Sequence, residues 1–190
     1  MNKLILETQI SIDGYIADEN GGTNWMIWNW DKDLQTYHTN LNKSISNILI
    51  SGQMAREGFN AHWQQVAQDA TDTRFDFASH IVNTNKFVVS TTLTKDTNIP
   101  GGWHNLSVLN GNLEAEVEKL KNSNSGDIIV YGGATLVSSL INADLIDEYH
   151  LIVNPVALGK GLAIFKKQTN LKMVNATSFT CGMVVSHYRK

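Results

Sequence analysis

The sequence predicts an α/β fold of three layers, a mostly parallel central sheet flanked by helices and ending in a pair of C-terminal strands that can run antiparallel. Three observations carry this expectation. Short apolar runs of strand length alternate with segments of helical spacing, and such alternation implies crossover connections and parallel pairing. The chain has 190 residues, 42 % hydrophobic and 17 % charged, enough to bury a sizeable core. No linker, internal repeat or low-complexity stretch interrupts it, so residues 1–190 are read as one domain.

The elements follow in order. Lys3 to Ile10 is a strand rich in Leu and Ile. Asp13 to Trp30 is rich in Gly, Asn and Asp and carries Trp25, Trp28 and Trp30, with Trp63 further on. It reads as a long loop, and loops of that length are commonly functional. Asp31 to Asn42 is a helix, and Ile45 to Ser51 a short apolar strand ended by Gly52. Asp72 to Asn83 is a helix, with Phe75, Ala78, Ile81 and Val82 at helical spacing. Lys86 to Ser90 and Leu106 to Leu109 are strands separated by a loop around Pro100–Gly102.

Asn112 to Lys121 is the clearest helix. Asn112 can cap it, Glu114 and Glu116 stand early, and Lys119 and Lys121 stand late, as the helix dipole favours. Leu113, Val117 and Leu120 form its buried stripe. Asp127 to Tyr131 is a strand, Gly132–Gly133 a turn, Ala134 to Asn142 a helix and Glu148 to Asn154 a strand. The last thirty residues or so read as two strands parted near Ala176–Thr177.

Composition excludes several function classes. A net charge of −3 argues against nucleic acid or an anionic membrane as partner, but not against an anionic small molecule held by a local patch. With one cysteine, Cys181, no intrachain disulfide can form, which fits a reducing compartment. Glu7, Thr8 and Gln9 break the N-terminal apolar run, so no signal-peptide core is read there, and a cytoplasmic location is expected. No segment reads as a membrane span. His38, His62, His80, His104, His150 and His187 show no closely spaced zinc-type pair, so no metal site is expected. Patterns for zinc deaminases, serine hydrolases and P-loops are missing as well.

The strongest local signal is IIVYGGATLVSSLI, Ile128 to Ile141: an apolar strand, two glycines and a helix. Exposed amides at a helix N-terminus favour phosphate, and glycine lets the backbone approach it closely. The competing reading is that a tight strand-to-helix turn simply needs glycine. Gly159-Lys160-Gly161 reads as a turn between strand ends.

Four segments, in order, resemble the dihydrofolate-reductase-like family. These are SIDGYIAD (Ser11 to Asp18), ILISGQMAREGF (Ile48 to Phe59), the Ile128 to Ile141 segment, and IDEYHLIVNPVALGKGLAIF (Ile146 to Phe165). KFVVSTTL, Lys86 to Leu93, fits as well. The family includes the C-terminal reductase domain of bifunctional riboflavin-biosynthesis enzymes and stand-alone relatives. The resemblance implies hydride transfer from NADPH to a small heterocyclic substrate, pterin- or pyrimidine-like, with the protein supplying binding and orientation. It implies cofactor contacts at Gly132, Gly133, Ala134 and Thr135 under the pyrophosphate. Ser90 and Thr91 would lie near the adenine ribose, and Ala17 beside the nicotinamide. It also implies a lid through Trp25 and an acid at Asp33, with Asp31 as its rival; both could instead serve the helix N-terminus.

One departure stands out. Where the family commonly has Gly-Arg-x-Thr, this chain has Gly52-Gln53-Met54-Ala55. The resemblance still places Gly52 and Gln53 among the cofactor contacts: Gln53 can hydrogen-bond a phosphate but brings no charge, so NADH stays open beside NADPH. Two further readings stay open: a riboflavin-pathway reductase of a phosphoribosylaminopyrimidine, and a non-catalytic nucleotide-binding or dimer-forming protein. The first needs a basic pocket, for which Arg56, Arg74 and Lys160 are the candidates. A homodimer is compatible with the sequence.

Overall fold

The computed structural model describes residues 1–123 and 125–190. Its elements are β1 (Leu4–Ile10), β2 (Tyr15–Ala17), α1 (Lys32–Lys43), β3 (Ile45–Ser51), α2 (Gly52–Arg56), α3 (Phe59–Val66), α4 (Phe75–Asn83), β4 (Asn85–Val89) and β5 (Leu106–Leu109). They continue with α5 (Leu113–Lys121), β6 (Asp127–Val130), α6 (Ala134–Asn142), β7 (Glu148–Val153), β8 (Leu162–Ala163), β9 (Lys172–Ser178) and β10 (Val184–Arg189). Eight strands form one sheet in the order β5-β4-β3-β6-β1-β7-β10-β9, and β2 pairs with β8 separately. β5 through β7 are parallel, whereas β10 runs antiparallel to both β7 and β9. This is the mostly parallel three-layer architecture with antiparallel C-terminal strands, and its fold is dihydrofolate-reductase-like.

Both faces of the central strands are covered, which explains their near-continuous apolar runs. Leu4, Leu6, Val130 and Tyr149 pack on one face with Val117 of α5 and Val137 and Leu140 of α6. Ile5, Ile48, Ile50 and Ile129 pack on the other with Phe77 and Ile81 of α4. Leu34 of α1 closes a third cluster with Ile152, Met183 and Val185. Each such side chain contributes about 1.5–3 kcal/mol on full burial. No helix among the described residues is long and apolar enough to cross a membrane.

Two local expectations change. The chain after Gly52 continues as α2 and α3. Phe59, Trp63 and Val66 stand at helical spacing along α3, a stripe short enough to pass unread. Trp63 therefore packs against Phe59 and Phe77, away from the long loop. The C-terminal turn also lies later than Ala176–Thr177, which sit inside β9. Phe179 N–H donates to Met183 O at 2.9 Å, and Gly182 takes φ +90°, a conformation available at little cost only to glycine.

Candidate functional site

Parallel neighbours present their C-terminal ends along a single edge. Here β4, β3, β6 and β1 stand side by side, so Ser90 and Thr91, Gly52 and Gln53, Gly132 to Thr135, and the loop leading to Ala17 all open on that edge. Ligands of open α/β sheets bind in this crevice.

The two glycines after β6 have different reasons. A Cβ on Gly132 would meet Leu136 Cδ2 at 2.6 Å, so this glycine is needed for α6 to pack against its own turn. A Cβ on Gly133 would meet nothing within 4 Å among the described residues. Gly133 is the N-cap of α6 at φ −66° and supplies no side-chain hydrogen bond to the helix amides. The turn thus has a glycine demanded by packing beside one that leaves open space before uncapped amides. That second feature is an anion-binding geometry.

At the end of β3 the same close approach recurs. A Cβ on Gly52 would meet Ser90 Oγ at 2.8 Å. Ser90 Oγ accepts from Thr92 N–H and Leu93 N–H, both at 3.2 Å, and shapes the turn after β4. Thr91 is exposed. Gln53 lies on the solvent side of α2 and donates to Glu57 Oε1 at 2.8 Å. Arg56, one helical turn on, reaches back instead. Its Nη2 donates to Thr92 Oγ1 at 2.6 Å, and its Nη1 would stand 3.5 Å from a Cβ on Gly52. Arg56 thus brings a guanidinium to the ends of β3 and β4.

On the β1 side, Ser11 and Asp13 form the turn. Asp13 accepts from Ser11 Oγ at 2.6 Å, Leu158 N–H at 3.1 Å and Gly159 N–H at 2.7 Å. These bonds hold its carboxyl below the usual range. Ala17 is buried in β2 with its side chain in the core, and Gly161 packs against its carbonyl. Ala17 can meet a ligand only through its backbone. The Gly159–Gly161 turn thus docks on β2. Beyond it lies a cleft of about 520 Å³ lined by Asp18, Glu19, Asn20, Leu158, Gly159 and Lys160.

The long loop is fastened at several points. Ile27 N–H donates to Asn154 Oδ1 at 2.9 Å, and Gln35 Nε2 to Trp30 O at 2.7 Å. Trp25 is half-buried, its indole donating to Gly22 O at 3.2 Å. Trp28, not Trp25, is the open aromatic: it is 69 % exposed and stacked on Trp30 with ring centres 6.2 Å apart.

The two carboxylates at the start of α1 separate cleanly. Asp31 caps the helix, accepting from Leu34 N–H at 2.9 Å, and also accepts from Thr180 Oγ1 at 2.7 Å and Cys181 N–H at 2.9 Å. These bonds hold its carboxyl far below the usual range. It is a staple between α1 and the β9–β10 turn and has no proton to give near neutral pH. Asp33 is exposed and makes no side-chain hydrogen bond among the described residues.

Sequence reasoning missed a polar strap beneath α1. Glu7, buried in the middle of β1, accepts from His38 Nδ1 at 2.8 Å and from Asn42 Nδ2 at 3.1 Å. Asn42 Oδ1 in turn accepts from Tyr131 Oη. Burial, with Glu7 nearby, raises the Tyr131 phenol well above its ordinary value. A carboxylate inside an apolar central strand was the available signal.

Comparison with known proteins adds the lineage. The model of the RibD C-terminal domain matches residues 2–185. YyaP, an uncharacterized Bacillus subtilis protein, is 32 % identical over 186 residues, spanning 96 % of this chain and 92 % of that one. Among solved structures, a Thermotoga maritima diaminohydroxyphosphoribosylaminopyrimidine deaminase/5-amino-6-(5-phosphoribosylamino)uracil reductase matches with a TM-score of 0.66 at 17 % identity, covering 99 % of this chain and 56 % of that one. The chain thus spans little more than half of that protein. Dihydrofolate reductase from Enterococcus faecalis, complexed with NADP(H), matches with a TM-score of 0.56 at 14 % identity, covering 98 % and 95 %. These two solved structures share the fold with this chain.

Proposed function

We propose, from the premise that this chain belongs to the RibD C-terminal domain family, that it is an NADPH-dependent reductase of a small, flat heterocycle without a phosphate group. The observation that carries the reading is the row along the sheet edge: the open, uncapped start of α6 at Gly133, then Gly52, with the Arg56 guanidinium beside Ser90 and Thr92. Open space at Gly133 fits a pyrophosphate, and a guanidinium among hydroxyls fits a ribose 2′-phosphate.

When bound, the dinucleotide supplies the hydride. The residues of this chain then have three tasks. Ala134, Thr135 and the preceding glycines hold the pyrophosphate through backbone N–H groups, while Arg56, Ser90 and Thr91 hold the adenosine side. Trp28, a flat exposed face over Trp30, covers the planar substrate and excludes water. Asp33, the carboxylate of α1 left free once Asp31 is committed to the cap, orients the substrate ring and assists its protonation.

The candidate cations for a sugar phosphate do not converge. Arg74 is held by Asp72 through two hydrogen bonds at 3.0 and 2.7 Å. Lys160 shares its cleft with Asp18 and Glu19. Arg56 serves the other end of the edge. This dispersal favours a neutral heterocycle over a phosphoribosylated one. The test is a melting series with NADPH, NADH and 2′-phosphoadenosine compounds, since a ligand that prefers the folded state raises Tm. NADPH should raise it more than NADH. No shift with either removes the dinucleotide site from this edge.

A further inference from the structure

On the sheet face under α1, away from the C-terminal edge, Glu148 and His150 project from β7 and His187 from β10. His150 and His187 are register partners on neighbouring antiparallel strands, and Arg189 stands opposite Glu148. We propose that Glu148, His150 and His187 form a binding site for a first-row transition-metal dication of the Zn²⁺ type, independent of the reductase reading.

The argument starts from two orphaned atoms. His150 Nε2 and His187 Nε2 are both buried and have no hydrogen-bond partner among the described residues. The His150 side chain is only 6 % exposed. A buried imidazole nitrogen left unpaired is costly, and native structures rarely tolerate two side by side. Both face the same carboxylate oxygen, Glu148 Oε2, at 3.8 Å and 3.4 Å, too far or too poorly aligned to bond. The three donor atoms lie within 4.8 Å of one another, whereas ligands of a tetrahedral zinc stand about 3.3–3.6 Å apart, from Zn–N and Zn–O lengths near 2.0–2.2 Å. A modest contraction therefore satisfies all three.

The surroundings orient these donors. His150 Nδ1 is 2.6 Å from Tyr37 Oη, a hydrogen bond that fixes the ring and leaves Nε2 as the ligating atom. Glu148 Oε1 accepts from Lys3 Nζ at 2.8 Å and Arg189 Nε at 3.0 Å, which turns Oε2 toward the histidines. Lys3 and Arg189 are about half exposed, at 49 % and 53 %, so solvent screens their charge. The imidazole rings are stacked at 4.1 Å. Because a ring's lone pair lies in its plane, ligation turns the more exposed His187 ring out of the stack. Two imidazoles and one carboxylate select zinc, cobalt or nickel over magnesium or calcium.

Calorimetric titration of the untagged, chelator-treated chain with Zn²⁺ tests this, alongside the absorption spectrum of the Co²⁺ form. One site of micromolar affinity or tighter is expected, with Mg²⁺ failing to compete. His187→Gln and His150→Gln should each weaken Zn²⁺ at least tenfold, and Tyr37→Phe should weaken it by about tenfold through the ring orientation. His104→Gln, at an exposed position outside the cluster, should leave affinity unchanged. His187→Gln tests the site even if His150→Gln fails to fold, because His187 lies nearer the surface. Absence of Zn²⁺ binding by the parent chain, or undiminished binding by folded His187→Gln, overturns the proposal.

Discussion

The open edge of the sheet and the face beneath α1 treat polar groups in opposite ways. Under α1, Glu7, His38, Asn42 and Tyr131 pair with one another, and Asp31 uses both carboxylate oxygens. At the edge, the amides that begin α6 meet no capping side chain and Gly133 faces open space among the described residues. Paired groups hold the fold together, whereas groups left free in a crevice are available to a ligand. The contrast sorts residues by task without knowledge of the substrate. The unpaired nitrogens of His150 and His187, on the covered face, are the exception that points to a ligand of its own.

If that division is sound, the largest effect on stability comes from the strap. Glu7→Ala strands the His38 and Asn42 donors inside the core. It should cost about 3 kcal/mol in urea unfolding, while Glu7→Gln, which keeps an acceptor, should cost clearly less. Equal, small losses in both variants would mean the strap adds little to the fold.

Gly133→Asp sharpens the contrast from the other side. The new carboxylate should lower dinucleotide affinity about tenfold or more, on the order of 1.4 kcal/mol. Yet φ at Gly133 is −66° and a Cβ there is unobstructed. Asp is also a better N-cap than Gly, so the unfolding free energy should hold or rise by a few tenths of a kcal/mol. A variant that binds as before would separate the edge from the ligand.

Arg56→Ala should weaken NADPH roughly fivefold, about 1 kcal/mol, and leave NADH unchanged, with the difference shrinking in high salt. Calorimetry on both cofactors reads this directly. Equal losses would place Arg56 outside the 2′-phosphate contact.

The smallest effect compares the two acids of α1. Asp31→Ala should lower Tm at neutral pH, whereas Asp33→Ala should leave it nearly unchanged. The Asp31 carboxyl is depressed from its ordinary 3.8 by the Leu34, Thr180 and Cys181 bonds. Its contribution is therefore fully present above that value and is lost as pH falls below it through the folded-state pKa. The gap between parent and Asp31→Ala should close on acidification, and thermal melts across an acid series measure it. A gap that persists at low pH would assign the loss to geometry rather than charge.

Most of the sheet was legible because its information is local. Apolar runs at Ile45–Ser51 and Leu106–Leu109, the Asn112 cap and the Gly132–Gly133 turn each report on neighbours within a few residues, and all appear where the pattern put them. The family segments likewise marked which strand ends belong together. The α2–α3 segment was lost because its stripe is only two turns long, and the C-terminal turn because its local signal is a single glycine, Gly182 at φ +90°.

What the chain alone determined, then, was the alternation of strands and helices and the glycines at their junctions, since backbone propensity and hydrophobic period act over short range. What only the tertiary structure decided was which side chains meet. Arg56 meets Thr92 because a helix turn carries it back over Gly52. Asp31 and Asp33 part because a hairpin from the far end of the chain closes over one of them. His150 and His187 become neighbours through strand register, which no spacing in the sequence encodes.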